Sequence, residues 1–322
     1  MVVGRNPIKV TMRISRLSAI YILLTLTSFP RPSLEASSTA PGVPPAAANA
    51  QAPSDEEIRA RTKTLLANQH ADDEALELYE RVERHIDRTG GANPRTLDDK
   101  TDRIVPTGVG NQKILLHEEG KPTDPAAYAR QMHVLEQELE MMTNPDDPRA
   151  KAADAKFQKR MRERAAFVDA ARDAYTVKWV GRENRNGRDC DVFALDPNPK
   201  FQPRSMFQEV FAHTTAKLWV DRAANQIVHA EATVTSDVGF GGGVLGKLYR
   251  GSVVGLDQGE IAPGIWLPLR YQYDYAGRKF LFSFDQHQVI EVTHYRRIGT
   301  PKEALAVVQN ELSSGKTFSE DP

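Results

Sequence analysis

The chain of 322 residues has one cysteine, Cys190, so an intramolecular disulfide and any multi-cysteine zinc site are excluded. Cys190 opens an apparent strand, Cys190–Leu195, where a thiol packs as a small hydrophobe, and nothing near it in sequence would lower its pKa. Charge of one sign is also missing. The formal net charge is −1, which leaves no overall nucleic-acid signature. Long apolar runs are absent apart from Leu17–Phe29, and those 13 residues fall short of the roughly 20 needed to span a bilayer.

The motifs of chemistry are missing too. No Gly-x-Ser-x-Gly elbow appears. His117-Glu118-Glu119 lacks the second histidine four residues on that a zinc protease helix needs. Gly241–Leu248 nearly matches a phosphate-binding loop, but Leu248 stands where a hydroxyl must hold magnesium, and a strand rather than a helix follows. The segment reads instead as a glycine-rich turn or bulge. The histidines are scattered: His133 falls off the apolar stripe of its helix, and His229 with His294 is the pair that could share a polar sheet face. Carboxylates are plentiful, yet no pair of them is marked as acid and base. We expect a protein that is not an enzyme, with no catalytic residue, cofactor or metal.

What is present begins with an export signal. Arg13 and Arg16 precede the apolar run, a basic start before a short apolar core. Residues 1–36 are expected to be a signal peptide, with Met12 an alternative start, and the mature protein to be periplasmic. Ala36 and Ala40 are the candidate cleavage points, with Pro41 making cleavage after Ala40 awkward, and an uncleaved anchor is the competing reading. Residues 37–53 are rich in proline and alanine and read as a flexible arm. Ser54 and Glu57 then form a capping box for a helix reaching about His70. Residues 76–87 suit a helix or a strand. The turn signal Arg88-Thr89-Gly90-Gly91 favours a strand paired with Thr96–Val105, and Gln112–His117 follows as another.

Asp124-Pro125 opens a second helix, with Tyr128, Met132, Leu135, Leu139 and Met142 on one stripe. After Asn144–Pro148 a third helix spans about Ala150–Ala174, with Phe157, Met161, Ala165 and Val168 inward. On it Lys156, Lys159, Arg160, Arg162 and Arg164 form a basic cluster, either a solvated face or a surface for anionic lipid or an acidic partner. Strands run from Tyr175 to Arg296, Pro301 starts a short helix, and residues 313–322 read as a loose tail.

The stretch Thr215–Tyr295 carries the plainest signal. Val228, Ala230, Ala232 and Val234 alternate with His229, Glu231, Thr233 and Thr235. Leu267, Leu269, Tyr271, Tyr273 and Tyr275 alternate likewise, and Ala276-Gly277 is expected to turn the chain into Phe280, Phe282 and Phe284. Period-two alternation between turn signals marks antiparallel strands with one apolar face. The apolar faces either fill a core or line a cavity for an acyl chain. Trp219, Val228, Ala230, Val234, Tyr271 and Phe282 are the candidate lining, and a one-residue slip would exchange every one of them. Phe240, Val244 and Leu245, in the glycine-rich segment, are the candidate lid.

Three phrases carry a resemblance. Gly187–Pro197, Ala216–Asp221 and Gly264–Pro268 are similar to the LolA/LolB superfamily of periplasmic lipoprotein carriers, nearest an exported bacterial branch. The resemblance implies an α+β fold: a strongly curved, incompletely closed antiparallel half-barrel with helices on its concave face, here one domain over 54–312 with inserted helices near 124–174. It further implies a periplasmic carrier of a lipid or lipidated protein in outer membrane biogenesis, with peripheral membrane contact. The alternative is an envelope sensor or scaffold that binds a protein partner. Nucleic acid is not an expected partner.

Overall fold

The computed structural model describes residues 52–91, 93–205, 207–241, 243, 245–315 and 318. The expected signal peptide, most of the arm, Val244 and most of the tail lie outside the described residues. The first helix, α1 (Asp55–Leu76), starts at the predicted capping box: the Ser54 hydroxyl accepts from the Glu57 N–H, and the Glu57 carboxylate reaches back to the Ser54 N–H at 2.6 Å. It runs six residues beyond His70. Its last turn is held from outside, by Asp72 accepting from the Trp266 N–H at 3.0 Å and by Leu76 packing on Tyr79 and Leu267. Ala71, Glu74, Ala75 and Leu76 are good helix formers, and these tertiary partners hold the turn they make.

The chain then folds β1 (Tyr79–Thr89), β2 (Thr96–Pro106), β3 (Asn111–Glu118) and the short β4 (Lys121–Pro122). Residues 79–89 are therefore strand, as the turn at Arg88–Gly91 predicted. Helices α2 (Pro125–Thr143) and α3 (Pro148–Ala174) follow, with Asp124 and Asp147 capping their N-termini and proline in each first turn. Next come β5 (Tyr175–Arg185), β6 (Arg188–Pro197), a 3-10 helix (Gln208–His213), β7 (Thr214–Asp221) and β8 (Ile227–Val234). The chain closes with β9 (Val238–Phe240), β10 (Gly246–Leu248), β11 (Val253–Ala262), β12 (Ile265–Lys279), β13 (Phe282–Arg297) and α4 (Pro301–Ser314).

The described strands form one antiparallel sheet in the order β4-β3-β2-β1-β13-β12-β11-β8-β7-β6-β5, with β10 and β9 added at the end of β12. Its two ends do not pair, so the half-barrel stays open, and the fold is α+β. The long-range pairing of β1 with β13 joins the first strand to the last.

Register sorts the helices onto two faces. Tyr271, Ile290 and His85 lie opposite one another across β12, β13 and β1, and Leu256, Ala230, Leu218 and Phe193 continue that row through β11, β8, β7 and β6. Helices α1 and α3 cover this inner face. Neighbouring residues point the other way. Val82, Val105 and Ile114 meet Tyr128, Met132, Leu135 and Leu139 of α2 and Ala304 and Val308 of α4 in one closed core. Four of the five residues of the predicted α2 stripe are thus buried and the fifth, Met142, is half-buried, with two helices on the outer face beside the two on the inner one. A buried ion network fastens α4 there. Arg103 pairs with Glu80 and Glu311, both at 2.7 Å, and Arg296 joins the same two carboxylates.

The turn expected at Ala276-Gly277 is not one. Strand β12 continues through it to Lys279, and the chain reverses at Phe280-Leu281. Gly277 is needed for another reason: a Cβ there would stand 2.3 Å from the Lys247 carbonyl oxygen and 2.4 Å from the Phe284 ring. Its bare backbone lets the β9–β10 hairpin lie against β12.

Candidate functional site

A cavity of about 260 Å³ lies between α1, α3 and the inner face of the sheet. Helix α1 presents a single stripe to it: Thr62, Leu65, Leu66, Gln69, Asp73 and Leu76 recur at helical spacing. Helix α3 adds Phe167, Val168 and Ala171, and the 3-10 helix adds Val210 and Phe211. The floor is made of strand residues, and its centre is small. Ala216 of β7 stands directly opposite Ala232 of β8, and Ala230 is the next inward residue of β8. Three alanines beneath the helices leave space that Leu or Ile would occupy.

Polar contacts hold α1 at both ends of the cavity. At the first end Arg61 forms a close ion pair with buried Asp191, its Nε donates to Asn225 Oδ1 at 3.1 Å, and Asn225 returns a bond to the Arg61 carbonyl at 3.0 Å. Burial pushes the Asp191 carboxyl up, but donors from Arg61, Trp179 and Arg182 outweigh it and hold its pKa below the usual range. At the other end Asp72 is bonded to Trp266 and Asp73 pairs closely with Arg164. Beneath this end sits Glu77, whose two carboxylate oxygens are buried without a hydrogen-bond partner. Burial raises its pKa to about 7 against the opposing pull of Arg81 and Arg164.

Of the six predicted lining residues, Ala230 and Tyr271 line the cavity. Val234 shares their face but packs in the cluster of Phe167 and Phe211 that closes the far wall. Trp219 and Val228 are buried elsewhere, with Cys190, Val192 and Trp266. The Trp219 ring lies 4.8 Å from the Arg185 guanidinium and 4.9 Å from His229, and its Nε1 donates to Glu183 at 2.7 Å. The neighbours Leu218 and Val220 point into the cavity instead. The register between β7 and β8 shifts at Trp219/Val220, with Trp219 opposite His229 and Val220 opposite Ile227, so Val228 is a bulge residue and leaves the inner face. Phe282 is 52% exposed at the start of β13.

Of the candidate lid, Phe240 is buried on the Phe167–Phe211 cluster, and Leu245 is at the tip of the β9–β10 hairpin, outside the cavity lining. In the basic cluster Lys156, Lys159, Arg160 and Arg162 are exposed, but Arg164 is not: only 6% of it meets solvent. The apolar stripe of α3 passes through Phe157, Phe167 and Val168, and Arg164 falls on it. His229 is buried and pairs with Asp257 at 2.6 Å, whereas His294 is exposed and bonded to Thr293. Burial raises the Cys190 thiol to about 11, in keeping with a packing role.

Nothing in the sequence marked Phe280-Leu281 as a turn. Phe280 and Leu281 form the β12–β13 turn and Phe282 follows it, at 52%, 87% and 52% exposure, and Leu245 at 48% lies beside them, its carbonyl accepting from the Phe280 N–H. Phe280 adopts φ +52° in a two-residue turn that ordinarily takes Asn-Gly. Lys247, Arg278 and Lys279 flank this apolar tip.

Among the described residues no helix is long and apolar enough to cross a membrane, and no group of His, Cys, Asp and Glu is arranged to hold a metal. No protein-family model and no curated protein matches the chain. Solved structures do. It is similar to a domain described as an outer membrane lipoprotein-sorting protein from Vibrio parahaemolyticus, at 10% identity and TM-score 0.32, over 78% of this chain and 98% of that one. It is similar to a DUF1329 family protein from Desulfovibrio piger, at 13% identity and TM-score 0.26, over 73% and 92% of the two chains. A LolA superfamily protein from Nitrosomonas europaea, the superfamily its three phrases resemble, is similar at 11% identity and TM-score 0.27, over 74% of this chain and 96% of that one.

Proposed function

We propose that the protein is a non-enzymatic periplasmic binder or carrier of a lipid or of a lipidated protein. The observation that carries this reading is the apolar cavity between α1, α3 and an alanine-floored sheet. Ligand cavities are concave and mostly apolar, with a few placed polar groups, and span roughly 300–1,000 Å³. A cavity of 260 Å³ lies just under that range and suits a single chain. The exposed tip of Leu245, Phe280, Leu281 and Phe282 supports membrane contact. Apolar side chains at a turn cost less when they enter a bilayer interface, and the flanking cations favour anionic headgroups.

The test is to purify the protein from a Gram-negative envelope, analyse extracted material by mass spectrometry, and titrate it with a fluorescent fatty acid. Co-purifying acyl species and saturable uptake are expected. Absence of both overturns the reading. A stoichiometric protein recovered without lipid would favour the sensor or scaffold alternative, with the apolar tip as its contact surface.

A further inference from the structure

We propose that Arg164 is an anion anchor inside the cavity, and that the cavity takes a single-chain amphiphile whose head is a carboxylate. The inference rests on the lipid-binding reading above and specifies its ligand class. Arg164 lines the cavity and is 6% exposed. A guanidinium carries five N–H donors and cannot be neutralised in a protein. Asp73 pairs with it at Nη2, and Nε, Nη1 and Nη2 are all buried with no hydrogen-bond partner among the described residues. An ion pair built only to tie α3 to α1 gains by satisfying those donors, because each donor left bare in a buried site is costly.

The surroundings fit an amphiphile. Leu76, Val168, Leu267 and Tyr271 line the same cavity as Arg164, so a carboxylate at the guanidinium continues into an apolar wall. From Leu76 the α1 stripe extends back to Arg61, about 22 Å along the helix axis at 1.5 Å per residue. That is room for one extended chain. Of the carboxylates near this end, Asp72 accepts from the Trp266 N–H and Glu83 binds Arg81 at 2.8 Å, while Glu77, which burial pushes toward its neutral form, has both oxygens without a hydrogen-bond partner. Charge-assisted bonds from a guanidinium to a carboxylate are the strong kind, and they distinguish an acid from an alcohol of the same length.

The experiment compares palmitate with hexadecanol on the wild-type protein, each displacing a neutral fluorescent acyl probe. It repeats both on Arg164→Gln/Asp73→Asn, which removes the two charges together. Palmitate is expected to bind at least tenfold more tightly than hexadecanol to the wild type, and the double variant to bind both alike. Equal affinities on the wild type overturn the anchor and leave the cavity reading intact. Binding of neither ligand, with no probe uptake, overturns both. If the double variant does not fold, the wild-type comparison decides alone. A palmitate preference that survives in a folded double variant overturns the role of Arg164.

Discussion

The two halves of the sheet are layered alike and filled differently. Around β1, β2 and β3 the outer face meets α2 and α4 through Val105, Ile114, Leu135, Leu139 and Val308, all without measurable exposure. Around β7 and β8 the inner face meets α1 and α3 through Ala216, Ala230 and Ala232, and a cavity remains. Helix-on-sheet packing does not leave such a hole by default, since interiors close to crystal density. The filled half marks what this chain achieves when an interface serves stability alone. The hollow half departs from that by residue size at three adjacent floor positions.

That contrast is broken most severely on the filled side. Arg103→Ala leaves Glu80 buried beside one remaining partner, Arg296, and is expected to cost about 3–5 kcal/mol in urea unfolding. Leu135→Ala opens a void in a closed core and is expected to cost about 2–5 kcal/mol by the same measurement. A loss under about 1 kcal/mol in both would mean that this half is loosely packed as well.

The hollow side responds to pH. Glu77 titrates near 7 in the folded protein against a usual value of 4.5. The folded state therefore keeps a proton that the unfolded chain releases between those values, and stability falls as pH rises through that window. Glu77→Gln is expected to raise stability by up to about 3 kcal/mol at pH 8, and to change little at pH 4. Thermal denaturation at the two pH values checks it; equal effects at both would separate Glu77 from the titration. The smallest change in stability is expected at the tip. Leu281→Ser should stay within about 0.5 kcal/mol of the wild type while weakening co-sedimentation with anionic phosphatidylglycerol vesicles. Unchanged co-sedimentation would remove the tip from membrane contact.

Much of the frame was legible in the sequence because local chemistry decides it. Ser54 with Glu57, Asp124 with Pro125 and the α2 stripe each specify a helix from within a few residues. Alternation in β8 and β12 specifies strands in the same local way. The site was less legible because it depends on what lies opposite. Period two tells that Trp219 and Leu218 face apart but not which of them faces the helices. The bulge at Val228 then shifts the row within one strand. Arg164 reads as one more cation in a basic run, and only its place one turn before the buried Phe167 and Val168 reveals that it is inside. The apolar turn at Phe280-Leu281 breaks the usual turn chemistry, so Ala276-Gly277 drew the turn away from it. Three alanines in a strand look like weak strand formers, and they become informative only as the floor of a space.

Whether this space is held open for a ligand is decided by filling it. The experiment is fluorescent fatty acid titration of the wild type and of Ala216→Leu/Ala232→Leu, with urea unfolding of both. Saturable uptake by the wild type and at least a tenfold loss in the variant are expected. Stability equal to or above the wild type is expected as well, because the added methylenes fill existing room. Undiminished uptake in a variant folded as well as the wild type would contradict a space held for a ligand, and so would a destabilisation of several kcal/mol, which would show that the alanine floor is already closely packed.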